Sequence, residues 1–145
     1  VIFETKTKIL VVDDDEVDRA AIERAFRRVD RLDHLVLACD GLDALEKLRG
    51  HNNQALIHPP YVILLDLNMP RMSGHEFLAE LRADPKLSDS IVFVLTTSDN
   101  DRDLRAAYAR SVAGYIIKSN VDSDFENLLN LLDAYVSLAT FPNDA

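Results

Sequence analysis

A chain of 145 residues fits one domain and can bury a proper core, so neither a disulfide framework nor a structural metal is needed for folding, and an output domain of ordinary size does not fit beside it. Asp plus Glu outnumber Lys plus Arg by 25 to 16, a formal charge of −9, which argues against general nucleic-acid binding and favours a basic partner surface or a bound cation. No signal peptide and no apolar run of transmembrane length is visible, so the expectation is a soluble, cytoplasmic chain with no membrane role.

After a short lead, residues 1–7, the apolar run Lys8 to Val12 predicts a first strand, and it ends in Asp13, Asp14 and Asp15. A helix follows from about Glu16 to Val29, with Val17, Ala21, Ile22, Ala25, Phe26 and Val29 on its inner side and Asp15 as its N-cap. His34 to Cys39 reads as a second strand, and Cys39, the single cysteine, as a buried or half-buried thiol. Asp40-Gly41 makes a turn into a helix over Leu42 to Leu48 that ends near Gly50. His51 to Pro60 lacks periodicity and reads as an extended loop; His51 and His58 have no Cys partners at ligand spacing.

Val62, Ile63, Leu64 and Leu65 are β-formers without alternation, which suits a strand covered on both faces, and this run ends at Asp66. A loop from Asn68 to Gly74 leads to a helix over His75 to Ala83, stopped by Asp84-Pro85, with Phe77, Leu78 and Leu81 inward. The run Ile91 to Leu95 ends in Thr96 and Thr97; Ser98 or Asp99 caps the next helix, which reaches about Ser111. Gly114 turns the chain into Tyr115-Ile-Ile117, which ends in Lys118. A last helix from about Asp124 to Leu138 carries one stripe of Phe125, Leu129, Leu132 and Val136 and an adjoining one of Leu128, Leu131, Tyr135 and Leu138. That is wider than one sheet needs and points to a partner surface; Thr140 to Ala145 is a polar tail. Five strands alternating with five helices predict an α/β fold, a doubly wound five-stranded parallel sheet with right-handed crossovers.

In such sheets the chemistry sits at the carboxyl ends of the strands, which is where Asp13, Asp14, Asp66, Thr96 and Lys118 fall. Clustered carboxylates repel unless a cation or a proton stabilises them, and a small hard divalent ion such as Mg²⁺ is the economical solution. Asp14 and Asp66 could supply side-chain oxygens, the Asn68 backbone carbonyl a third ligand, and Asp13 a bound water. Asp66 could then attack a phosphorus centre to give an acyl phosphate, with Lys118 and the Thr96 hydroxyl on the phosphoryl oxygens. The residues leave three classes open: a phosphoryl-accepting regulator, a Mg²⁺-dependent phosphatase, and a flavodoxin-like binding module. No residue clearly supplies the acid a phosphatase needs, and the carboxylates would repel a flavin phosphate.

Taken together, Ile9-Leu-Val-Val-Asp-Asp14, Leu65-Asp-Leu-Asn-Met-Pro70 with Gly74, Leu95-Thr96 and Gly114-Tyr-Ile-Ile-Lys118 resemble the receiver domains of bacterial two-component response regulators. The resemblance spans Lys8 to about Leu138 and implies a receiver domain over 8–138 with a tail at 139–145. It implies the strand order 2-1-3-4-5, Asp66 as phosphoacceptor, Asp13, Asp14, Asp66 and Asn68 around Mg²⁺, and Thr96 and Tyr115 as switch residues beside the invariant Lys118. It further implies a sensor histidine kinase as phosphodonor, and Mg²⁺-dependent self-phosphorylation and autodephosphorylation in place of ordinary turnover. A histidine phosphotransfer protein would be a partner if the chain were a relay intermediate. The long segment before Tyr61 and the run Leu95-Thr-Thr-Ser98 make it similar to the small regulators paired with bacterial phytochromes, and the broad last helix with its adjoining strand suggests a homodimer. One departure is Ser119-Asn120, where many receivers have a proline after the lysine; it implies a looser loop around Lys118.

Overall fold

The apolar runs become strands and the 3.6-residue stripes become the layers that cover them. The computed structural model describes residues 6–142; the character of Val1-Ile2-Phe3 therefore lies outside the described residues. The strands are β1 (Lys8–Val12), β2 (Leu35–Ala38), β3 (Tyr61–Leu65), β4 (Ile91–Thr96) and β5 (Gly114–Ile117). They alternate with α1 (Glu16–Arg28), α2 (Gly41–Arg49), α3 (Gly74–Ala83), α4 (Asp101–Ala109) and α5 (Glu126–Leu138). All pairings are parallel, in the order β2-β1-β3-β4-β5.

Strand alternation divides the core in two. Leu10, Val12, Ile63 and Leu65 face α2 and α3 through Ala44, Leu45, Leu48, Phe77, Leu78 and Leu81. Ile9, Val11, Val62 and Leu64 face α1 and α5 through Ile22, Phe26, Leu128, Leu132 and Val136. Every residue of β3 is buried, as a central strand covered on both faces requires.

The register fixes the site. Val12 pairs with Leu65, and the Asp66 amide continues that ladder by donating to the Val12 carbonyl at 2.9 Å, so Asp13 and Asp66 emerge side by side. Thr96 pairs with Ile117, which brings Lys118 out at the same edge.

Helix starts are set by side-chain caps. Asp15 accepts from the amides of Val17 and Asp18, Asp40 accepts from that of Asp43, and Ser73 and Glu76 form a reciprocal capping box on α3. Gly50 closes α2 in the left-handed region at φ 68°, where a Cβ is disfavoured.

Several expectations need correction. Cys39 is exposed, because β2 ends at Ala38 and the chain is already turning into the α2 cap, with the Cys39 amide donating to Asp43 Oδ2 at 3.0 Å. Val17 is 73% exposed and Val29 45%; the first lies in the opening turn of α1 and the second is its C-cap, so the covering stripe is Ile22, Ala25 and Phe26. The cap of α4 is Asn100, whose side chain accepts from the Arg102 amide at 2.7 Å, and neither Ser98 nor Asp99. The last helix begins at Glu126, after Phe125 at φ 57°. Its buried side, Leu128, Leu132 and Val136, draws on both expected stripes, while Leu131 and Leu138 are exposed. The tail is not simply polar: Phe141 packs edge-on against Tyr135, which packs edge-on against Phe93.

Candidate functional site

Asp13 and Asp66 are both buried and Asp14 is exposed, and one oxygen from each lies within 4.8 Å of the others. Among the described residues this is the one cluster of His, Cys, Asp or Glu side chains able to hold a metal. Burial pushes both the Asp13 and the Asp66 carboxyl above the ordinary carboxylate range. Lys118 and the Asp15 amide oppose that push at Asp13; Lys118, the Thr96 hydroxyl and the backbone amides of Asn68 and Leu67 oppose it at Asp66. Two half-compensated carboxyls and a third at the rim form a donor set suited to a hard divalent cation.

Lys118 is the resident cation. It opens a short 3-10 turn, Lys118–Asn120, directly after β5, and its Nζ lies 2.9 Å from Asp13 Oδ2, 2.6 Å from Asp18 Oδ2 and 3.9 Å from Asp66 Oδ2. Burial alone would favour the neutral amine, but Asp18 and Asp13 outweigh it and hold the ammonium well above the usual lysine range. The Ser119-Asn120 departure leaves an ordered turn: Asn127 on α5 donates to the Asn120 carbonyl at 3.2 Å and accepts from the Asp122 amide at 3.3 Å.

Gly74 explains how the loop after Asp66 closes. A Cβ there would sit 2.5 Å from the Asp66 carbonyl oxygen and 2.6 Å from Leu67 Cα, so only glycine lets α3 start against the end of β3. The Gly74 amide donates to the Leu67 carbonyl at 2.8 Å, and the Asn68 amide lies 3.5 Å from Asp66 Oδ1.

Thr96 is fully buried at the end of β4, and its hydroxyl is among the groups that hold the Asp66 carboxyl down against burial. Tyr115, half-buried on β5, donates its hydroxyl to the Ser98 carbonyl at 2.9 Å. Lys118 thus stands near Asp66 in the resting protein, while Tyr115 is tied to the loop after β4 through Ser98.

Asp13, Asp14, Asp66, Thr96 and Lys118 come together at this edge of the sheet. Sequence reasoning missed Asp18, the second carboxylate on Lys118, and Arg19, whose guanidinium donates to the Asp13 carbonyl at 2.7 Å. Their place one turn into α1, just after the acidic run, was the available signal; the partner of Asp18 lies 100 residues away.

The family model of the response regulator receiver domain matches residues 9–132. The chain is similar to FilR2 of Methanothrix harundinacea, a probable methanogenesis regulatory protein, at 35% identity over 88% of this chain and 81% of that one. It is also similar to the phosphorylated cyanobacterial phytochrome response regulator RcpA, with TM-score 0.77, 34% identity and coverage of 94% and 98% of the two chains. A Mn²⁺-bound form of the response regulator Rcp1 superposes with TM-score 0.76 at 32% identity, covering 95% of this chain and 99% of that one.

Proposed function

Because the chain belongs to the receiver domains of response regulators, we propose that Asp66 takes a phosphoryl group from the phosphohistidine of a sensor kinase and that the acyl phosphate signals through altered protein contacts. The observation that carries this is the meeting of Asp13, Asp14 and Asp66 within 4.8 Å, with the Lys118 ammonium 3.9 Å from Asp66.

A carboxylate oxygen of Asp66 attacks phosphorus, the bond from phosphorus to the imidazole nitrogen breaks, and its electron pair leaves with the imidazole. Asp13, Asp14, Asp66 and the Asn68 carbonyl would hold Mg²⁺, which when bound neutralises charge on the transferring phosphoryl group. The related Rcp1 structure with Mn²⁺ supports a divalent ion at this donor set. Lys118 lies close enough to Asp66 to exchange part of its hold on Asp13 and Asp18 for a phosphoryl oxygen. Thr96, whose hydroxyl already favours the ionised Asp66 carboxyl, would donate that hydroxyl to another of those oxygens. The functional domain on this reading is 8–138, and the kinase is a bacterial phytochrome or a relative, as the likeness to RcpA supports. Among the described residues no helix is long and apolar enough to cross a membrane.

The test is the intact mass after exposure to acetyl phosphate, with and without Mg²⁺, for wild type and Asp66→Asn. A labile single-phosphoryl adduct that needs both the ion and Asp66 is expected; an equal adduct on Asp66→Asn would move the acceptor elsewhere.

A further inference from the structure

The loop between β4 and α4 is tied to α3 by side chains that the phosphoryl chemistry does not use. Ser98 donates its hydroxyl to Asp103 Oδ2 at 2.6 Å, and the other oxygen of Asp103 lies 2.9 Å from His75 Nε2. The Ser98 hydroxyl and then His75 hold the Asp103 carboxyl below the ordinary range. His75 Nδ1 is buried with no hydrogen-bond partner, so Asp103 is the polar contact that fixes the ring.

Both ends of this chain touch the reaction site. Ser98 is a hub: its carbonyl accepts the Tyr115 hydroxyl at 2.9 Å and its amide faces Thr96 Oγ1 at 3.4 Å. Because Thr96 Oγ1 accepts from that amide, its own hydrogen is left available to Asp66, whose carboxyl it helps hold down. At the other end His75 follows Gly74, whose Cα lies against the Asp66 carbonyl. The path Asp66, Thr96, Ser98, Asp103, His75, Gly74 and back to Asp66 is a closed ring of contacts linking the loops after β3 and β4.

We propose that His75 and Asp103 are positioning residues: they clamp Ser98, and through it hold Tyr115 inward and Thr96 toward Asp66 before any phosphoryl group arrives. The clamp thereby sets both the rate at which Asp66 is phosphorylated and how far Tyr115 has left to move afterwards. The ion pair is not a large stability element, since both side chains are about a third exposed (31% and 29%), so its loss leaves the protein folded. Its effect is on the placement of one carbonyl and one hydroxyl, where displacements well under an ångström matter to rate.

The rate half of the proposal rests on Asp66 being the phosphoacceptor; the placement half does not, and one experiment separates them. Protein carrying 3-fluorotyrosine is compared by ¹⁹F NMR, with the Tyr115 signal assigned by its loss in Tyr115→Phe. Phosphorylation by acetyl phosphate with Mg²⁺ is timed on the same samples. His75→Ala and Asp103→Asn are expected to shift the Tyr115 signal to a common new position and to slow phosphorylation roughly 3- to 10-fold. The double variant is expected to go no further than either single, and His75→Gln, which keeps a donor toward Asp103, to recover part of both effects. An unmoved Tyr115 signal in both single variants, with rates within about twofold of wild type, overturns the clamp. If wild type takes no phosphoryl group, the Asp66 reading falls, and the Tyr115 signal alone decides the placement.

Discussion

Asp66 carries a cost that only function explains. Its carboxyl is buried at the end of the central strand beside Asp13, and burial raises the proton affinity of both in the folded state. A raised carboxyl favours folding fully below its unfolded value, ordinarily 3.8, and that contribution is lost as pH rises through the folded value. At neutral pH the ionised pair therefore opposes folding, with Lys118 as partial relief. Removing one charge without changing shape should stabilise the metal-free protein, as neutralising strained active sites commonly does. Asp66→Asn is expected to gain about 1 kcal/mol, roughly 2–4 °C in Tm for a chain of this size, by calorimetry in chelator. Adding Mg²⁺ should raise the wild-type Tm, by about 2.7 kcal/mol equivalent at a hundredfold excess over Kd, and raise the variant less. A lower Tm for Asp66→Asn would show that Lys118 and Thr96 already more than compensate the charge.

At the scale of elements, the approach of α3 to β3 is the tightest constraint around the site. With Cβ contacts of 2.5 and 2.6 Å to backbone atoms, Gly74→Ala must push either the start of α3 or Asp66 itself. Overpacking of this kind costs about 1–3 kcal/mol, and here the backbone displaced carries Asp66, the proposed phosphoacceptor. The expected outcome is a folded protein, by circular dichroism, whose rate of phosphorylation falls more than tenfold; an unchanged rate would mean that the loop yields without moving Asp66.

That glycine also shows what was legible in the chain. Asp13, Asp66, Thr96 and Lys118 could be placed at one edge because each terminates an apolar run and parallel strands present their ends together. Asp15 as a cap and Gly50 as a stop follow from local chemistry and were readable for the same reason. Asp18 was not, because its partner is 100 residues away and a carboxylate in a first helical turn already has an ordinary explanation in the helix dipole. Val17 and Cys39 were misread because periodicity says which face a residue shares but not where the sheet beneath it ends. The 3-10 turn at Lys118 lay beyond reach too, since Asn127 on α5 braces it from outside the segment.

For the whole molecule the open question is which surface reports the phosphoryl group. Tyr115 sits on β5, an edge strand whose four residues are all half-buried, and beside it α5 exposes Leu131 at 40% and Leu138 at 86%. Phe93, Tyr135 and Phe141 form an edge-to-face series that stiffens this side. A face of α5 with exposed leucines, stiffened by this aromatic series, suits a second copy of the chain, and it is the α5 face with its adjoining strand that the sequence suggested. Against association stands the charge of −9 on each copy, whose repulsion is screened within about 8–10 Å at physiological salt. Two consequences follow for sedimentation of the purified protein. The dimer fraction should rise with salt and with phosphorylation, the first by screening and the second through movement of Tyr115. Leu138→Asp should weaken association at least about tenfold, because burying one leucine is worth about 1.5–3 kcal/mol and a symmetric interface uses it twice. The 86% exposure of Leu138 means that this substitution leaves the fold intact. A dimer that persists unchanged in Leu138→Asp would place the contact on another face, and a monomer under every condition would leave the signal to be read by a different protein.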